Sequence, residues 1–290
     1  MCGIFLVYSK KKKKLDISRC KLATKDLFNR GPDYFKYNVF KNGSLYISNT
    51  ILSITGKPHL GKYLISSKKR NYYISFNGQI YNYLSLKKKY LNNFLKQKKN
   101  ITDTEILINL YEKKQHKIIP KLLNGMYAYI VFDTAKDKLQ IVNDTQGEKN
   151  LYYYDNDDFL IVSSTIRSIK NYLNLKDLNK EVIKNYFFTR HFMPLENTCY
   201  KNLKLFKSGT INFFDLKKFN SKSYVYDDPI NWISKKKYNY YKNLGEEKLI
   251  NLIDKELNNQ AKIMIPKKQF SCIVSGGIDS TLQAKILSKY

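Results

Sequence analysis

The run Cys2-Gly3-Ile4-Phe5-Leu6-Val7-Tyr8 at the start of the chain constrains the fold more than any other feature. It is apolar without alternation, so it reads as a strand covered on both faces. Such a strand needs layers above and below it. Further strand-like runs follow at 45–54, 72–76, 126–132, 139–142 and 159–162. Helical patterns are fewer. Asp16 or Ser18 can cap a helix with Ile17, Cys20, Ala23 and Leu27 on one face, and Arg30-Gly31-Pro32-Asp33 stops it. Residues 103–111 carry Ile106, Leu107 and Leu110 at helical spacing. Many strands with few helices predict packed sheets flanked by helices.

Composition removes several function classes. The 290 residues give room for about two domains. The formal charge of +28 invites a nucleic-acid reading. However, the lysines are scattered in short runs at 10–14, 87–89 and 235–237, and no basic helix collects them. Lys, Asn, Ile, Tyr and Phe rise together when codons are rich in A and T, so the charge reads as solvated faces, with no nucleic-acid partner. No apolar run approaches the ~18–20 residues of a membrane span. The apolar stretch 4–8 is too short for a signal-peptide core, and its lysines follow it. The 4 cysteines form no Cys-x-x-Cys pair, and 3 histidines complete no zinc spacing, so no prosthetic group is expected. The expectation is a cytoplasmic protein with reduced thiols.

Beyond residue 215 the character changes. Residues 216–245 are polar and Lys-rich around Asp227-Asp228-Pro229 and read as a linker. Glu246 and Glu247 then open a helix at its positive end. Leu249, Ile250, Ile253 and Leu257 form its stripe, and Pro266 ends it. Residues 270–274 read as a strand, 275–279 as a Gly-rich turn and 280–289 as a helix: one strand–loop–helix unit.

Met1-Cys2 is the most consequential dipeptide. Removal of Met1 would leave Cys2 with a thiol and a free α-amino group, of pKa about 8.5 and 8, well matched for proton transfer. That is a nucleophile and base in one residue. The plainer reading is that Cys2 merely begins a buried strand. Asn77-Gly78-Gln79-Ile80-Tyr81-Asn82 begins with a turn signal, yet the Asn77 amide and the Gly78 N–H could also face an oxyanion. Thr102-Asp103-Thr104-Glu105 has the form of a capping box, and Asp103 could also face a substrate ammonium. Ser275-Gly276-Gly277-Ile278-Asp279-Ser280 lies between strand and helix patterns, where backbone N–H groups and two hydroxyls suit phosphate. Asp279 could hold Mg²⁺ there.

In order along the chain, these motifs resemble the glutamine-hydrolysing asparagine synthetase family, whose N-terminal part is a class II glutamine amidotransferase domain. Leu123-Asn124-Gly125-Met126-Tyr127-Ala128, Phe132-Asp133, Asn143-Asp144, Gly147, Lys149 and Leu151-Tyr152-Tyr153 continue the resemblance. It implies an α+β fold, a four-layer αββα N-terminal-nucleophile sandwich over 1–215. The linker 216–245 follows, then 246–290 as the first βα unit of an α/β nucleotide-binding, ATP-pyrophosphatase domain. It implies that Cys2 attacks the glutamine side-chain amide, with Asn77 and Gly78 as oxyanion hole. Residues Ile51, Leu52, Ser53, Ile54, Thr55, Gln79 and Asp103 would bind glutamine, with Arg30 in support. Ile273, Ser275, Gly276, Gly277, Ile278, Asp279 and Ser280 would bind ATP with Mg²⁺, and the ammonia would amidate an adenylated aspartate.

The sequence departs from the family in three ways. Ile51 stands where the family places the arginine that clamps the glutamine α-carboxylate, and an isoleucine cannot pair with a carboxylate. Backbone groups of residues 52–55 or the charge of Lys57 are the remaining candidates, so weaker glutamine binding is expected. Asn143 replaces an arginine and Ser164 a glutamate. Finally, Tyr290 follows Ser280 closely, so the second domain reads as incomplete: a fragment, or a split gene whose second chain supplies the rest. Alone, the chain is expected to hydrolyse glutamine weakly at best and to form no asparagine. A stand-alone amidotransferase subunit, a silent interaction protein of the same fold and a homodimer stay open.

Overall fold

The computed structural model describes residues 1–53, 64–91, 101–192, 194–265 and 269–290. They form two compact units, Met1–Asp228 and Pro229–Tyr290. In the first unit the order is β1 (Gly3–Ser9), α1 (Ile17–Lys25), β2 (Tyr34–Phe40), β3 (Leu45–Ile51), β4 (Ile65–Ser66), β5 (Tyr72–Ile80) and α2 (Tyr83–Leu86). Then come α3 (Asp103–Leu110), α4 (Ile119–Leu122), β6 (Gly125–Asp133), β7 (Lys138–Asn143), β8 (Tyr152–Asp155) and β9 (Phe159–Ser163). The unit closes with α5 (Ile166–Leu173), α6 (Lys180–Thr189), β10 (Leu203–Leu205), β11 (Thr210–Asp215) and β12 (Asn220–Val225).

The strands build two six-stranded sheets, ordered β10-β8-β9-β1-β3-β2 and β12-β11-β7-β6-β5-β4. The ladders between named strands are antiparallel. Strand β1 lies inside the first sheet, with Leu6 opposite Ile47 of β3 and Val162 of β9. Its unpatterned apolar sequence now has a cause. Ile4, Leu6 and Tyr8 point between the sheets, into a core with Ile47, Ile130 and Ile141. Phe5 and Val7 point the other way, onto Cys20 and Ala23 of α1 and Ile169 and Tyr172 of α5. On the far side, Ile74, Phe76, Tyr129 and Val131 of the second sheet bury Ile106, Leu107 and Leu110 of α3. The unit is therefore a sandwich of two sheets with helices on both outer faces. Leu6 is fully buried at its centre. Leu6→Ala is expected to cost about 2–5 kcal/mol, read as a lower denaturant midpoint at unchanged m.

Capping follows the sequence. The Asp16 carboxylate accepts from the N–H groups of Ser18 (2.9 Å) and Arg19 (3.2 Å) at the start of α1. Thr102 and Glu105 form a full capping box on α3.

Two expectations shift. The run ending at 76 is longer, because β5 continues through Asn77-Gly78-Gln79 to Ile80, with Asn77 opposite Ala128 and Gly78 opposite Tyr127. Asn77-Gly78 is thus not a turn but part of a ladder. Gly78 is required by crowding: a Cβ there would lie 2.1 Å from the Met126 carbonyl oxygen. Residues expected in the linker 216–245 instead continue the sheet. Strand β12 pairs with β11 from Thr210↔Val225 to Asp215↔Asn220. Tyr226 then anchors the chain, its hydroxyl donating to the Asn143 carbonyl at 2.9 Å. The side chains of β12 are all exposed, so no apolar alternation marks it.

The second unit holds α7 (Lys235–Lys242), α8 (Glu246–Met264) and α9 (Ile278–Leu287). Glu246 and Glu247 occupy the first turn of α8 as expected, and Pro266 lies outside the described residues. The strand expected at 270–274 does not form. A strand exists by pairing, and this segment has no ladder partner among the described residues. No helix among the described residues is long and apolar enough to cross a membrane.

Candidate active site

Strands β1, β3 and β5 converge with the start of α3 on one cavity of about 120 Å³. Alternation along β1 sets Cys2 on the same side as Ile4 and Leu6, and Cys2 lines this cavity. Its Sγ lies 3.9 Å from the Leu52 carbonyl oxygen, to which it donates. Burial pushes the thiol pKa up most strongly, and the Asp103 charge adds to that. The Leu52 contact, the chain-terminal ammonium and Arg30 pull it down.

Other expected residues meet Cys2 here. Ile51, Leu52 and Ser53, at the end of β3, line the cavity, as do Asn77, Gly78 and Gln79 of β5 and Asp103 of α3. Ser53 is held from behind, its N–H donating to Asp33 at 2.7 Å. Ile54, Thr55 and Lys57 lie outside the described residues. Arg30 stands behind the nucleophile and not among the lining residues, its Nε donating to the Cys2 carbonyl at 3.1 Å.

Asn77 is the most telling of the set. It is 1% exposed, and neither its Nδ2 nor its Oδ1 has a hydrogen-bond partner among the described residues. Each unpaired buried group costs about 1–3 kcal/mol, so an amide left this way at a cavity wall marks a place where something else binds. Asp103 begins α3. Its Oδ2 accepts from the Ile80 N–H at 3.0 Å, and its Oδ1 from the Thr104 N–H at 2.7 Å. Burial raises its pKa, and these backbone donors oppose the rise. A carboxylate has about four acceptor positions, so capacity remains for a cation.

The sequence did not single out Lys36, Asn49 or Met126 for the site, although all three line the cavity. Lys149, quoted like Met126 only within a longer run of motifs, lines it too. Asp144 shapes the loop that brings Lys149 there, accepting from the N–H groups of Glu148 (2.9 Å) and Lys149 (3.1 Å). Lys36 and Asn49 are opposite one another on β2 and β3. Strand β2 was not among the expected strands, so its inward lysine had no signal. Asn143, where an arginine was expected, donates from Nδ2 to the Lys149 carbonyl at 2.9 Å. Ser164 extends the β1–β9 ladder, its Oγ accepting from the Ile4 N–H at 3.0 Å.

The glycine-rich motif lies in the second unit. Ser275, Gly276, Gly277, Ile278, Asp279 and Ser280 are in or just before the first turn of α9. Gly276 sits at φ +86, a conformation that favours glycine. The Ser280 Oγ donates to the Gly277 carbonyl at 3.0 Å and accepts from the Ser275 N–H at 3.2 Å. Ile273 and Ile278 are exposed. No group of three or more His, Cys, Asp or Glu that could hold a metal occurs among the described residues, Asp279 included.

A two-sheet sandwich that brings Cys2, an amide unpaired among the described residues and a buried carboxylate to one cavity has the layout of an amidotransferase of the N-terminal-nucleophile kind. Residues 1–225 match the family described as glutamine amidotransferase domain, and the chain belongs to that family, in its class II. Among named relatives, the chain is 30% identical over 313 residues to a Methanocaldococcus jannaschii protein named "Putative asparagine synthetase (glutamine-hydrolyzing) 2", covering 100% of this chain and 57% of that one. It is 27% identical over 293 residues to the asparagine synthetase (glutamine-hydrolyzing) of Homo sapiens, covering 100% of this chain and 48% of that one. The chain thus spans about half the length of these relatives. In fold it resembles the glutamine phosphoribosylpyrophosphate amidotransferase of B. subtilis, with TM-score 0.56 and 16% identity over 99% of this chain and 64% of that one.

Proposed function

We propose that the first unit hydrolyses glutamine at Cys2. The unpaired Asn77 amide, buried in the same cavity as the Cys2 thiol, carries this reading. Met1 lines the cavity too, so its removal would both open the site and create the α-amino base on Cys2. That amine takes the thiol proton as sulfur bonds to the side-chain carbonyl carbon of glutamine. The carbonyl oxygen becomes an oxyanion that the Asn77 Nδ2 and Gly78 N–H groups meet. The C–N bond then breaks, the amine returns its proton to the leaving nitrogen, and ammonia departs. Water attacks the thioester, releasing glutamate and restoring the thiol. Asp103 holds the glutamine ammonium, and Arg30 keeps the Cys2 backbone in place.

For the whole protein, the names of the relatives support asparagine as the product, with aspartate as the acceptor of the ammonia; activation by ATP rests on the resemblance of the Ser275–Ser280 motif alone. The Ser275–Ser280 loop is then a phosphate-binding loop, with Ile273 against the adenine. Asp279 belongs to no group of three or more His, Cys, Asp or Glu among the described residues, so the residues present do not by themselves build a Mg²⁺ site. The rest of the synthetase domain would come from further residues or from a second chain.

The test is a coupled assay on the purified chain. Slow release of glutamate and ammonia from glutamine in equal amounts is expected, with intact mass showing Met1 removed. Full retention of Met1 together with no release would contradict the proposal.

A further inference from the structure

We propose that Lys36 is the cation that binds the α-carboxylate of the substrate, in place of the arginine absent at Ile51. The inference deepens the glutamine reading and rests on it.

The argument is one of register. On β2, Lys36 shares a face with Asn38 and Phe40, and Phe40 packs into the core between the sheets. Lys36 therefore points inward, and it lines the cavity beside Ile51 and Asp103 while only 2% exposed. Its partner across the ladder is Asn49, and Ile51 lies opposite Tyr34. Lys36 is thus the diagonal neighbour of Ile51 on one face, a separation of about 7–8 Å that long side chains bridge. A four-carbon stem rooted there can bring an ammonium to the space beyond Ile51.

Burying a lysine is costly unless something of opposite charge repays it. Burial indeed lowers the pKa of Lys36, and the Glu105 charge opposes this only in part. A carboxylate arriving in the cavity would add a further opposite charge beside the ammonium. The arrangement matches an α-amino acid at both ends. Asp103 offers a carboxylate to its ammonium and Lys36 an ammonium to its carboxylate, with Cys2 and Asn77 lining the same space for the side chain. Lysine acts as a point charge without the two-pronged geometry of arginine, so the site selects charge more than shape.

The test is calorimetric, in the full chain carrying Cys2→Ala so that nothing turns over. The probes are L-glutamine and 4-aminobutanamide, which is glutamine without its α-carboxyl group. With Lys36 present, glutamine is expected to bind on the order of 30–100-fold more tightly. Lys36→Met should reduce that preference to within about threefold, and Lys36→Arg should keep most of it. Ile51→Arg added to Lys36→Met should restore it. A folded Lys36→Met chain that retains the full preference overturns the role of Lys36 while leaving the glutamine reading intact. So does a chain with Lys36 present that binds the two probes equally, a readout that needs no Lys36 variant to fold. If neither probe binds, the glutamine reading itself fails and Lys36 with it.

Discussion

Cys2→Ala is expected to remove glutamine hydrolysis by at least about 10⁴-fold while leaving the fold unchanged. The fold is spared because Cys2 precedes β1, whose ladder to β3 starts at Gly3↔Thr50. Among the described residues its side chain makes one weak hydrogen bond, to the Leu52 carbonyl. Unfolding midpoint and ammonia release, measured on the same preparation, separate the two effects. A pH signature accompanies this. Burial raises the thiol pKa when Met1 is present, so Cys2 is mostly protonated at neutral pH. Iodoacetamide labelling of a Met1-retaining chain should therefore be slow at pH 7 and accelerate as pH rises past the range of a free thiol. After Met1 is removed, labelling should be faster at neutral pH, because the amine takes the proton. Equal rates in the two forms would mean the amine does not serve as base.

Asn77→Ala is expected to lower kcat by about 10²–10³-fold with little change in KM. The donor it removes acts on the oxyanion and not on the ground-state amide. Stability gives an independent reading. A buried amide with no partner among the described residues contributes no hydrogen bond there to the free enzyme, and its removal also removes the unpaired groups. Asn77→Ala should therefore be neutral or slightly stabilising in denaturant unfolding. A structural asparagine would show the reverse pattern, with lost stability and retained kcat.

Much of the candidate site could be read before the structure because each of its parts is carried by a short local motif, although the motifs lie far apart in sequence. Asn77-Gly78-Gln79 is one segment of β5, and Asp103 sits in a capping box that the sequence spells out. The first strand was legible from Gly3–Ser9 for the reason the sandwich now supplies: both of its faces are covered. What escaped depends on pairing across distance. The inward direction of Lys36 follows from the match of β2 to β3, and nothing within Tyr34–Phe40 announces it. Strand β12 escaped because an exposed edge needs no apolar alternation. The error at 270–274 went the other way. Its apolar residues gave a strand pattern, but pattern alone supplies no neighbouring strand. Ile51 reads as a departure in the sequence, and the compensation proposed for it lies one diagonal away on a strand that the sequence hid.

The central claim is that Cys2, freed of Met1, forms a thioester with the side-chain acyl group of glutamine. Rapid acid quenching of the chain with excess glutamine, followed by mass analysis of the N-terminal peptide, tests it directly. The predicted result is a glutamyl adduct on Cys2 in a peptide that begins at that residue, lost in Cys2→Ala. Glutamine turnover with Met1 retained, or with the adduct on Cys20, Cys199 or Cys272, would contradict it.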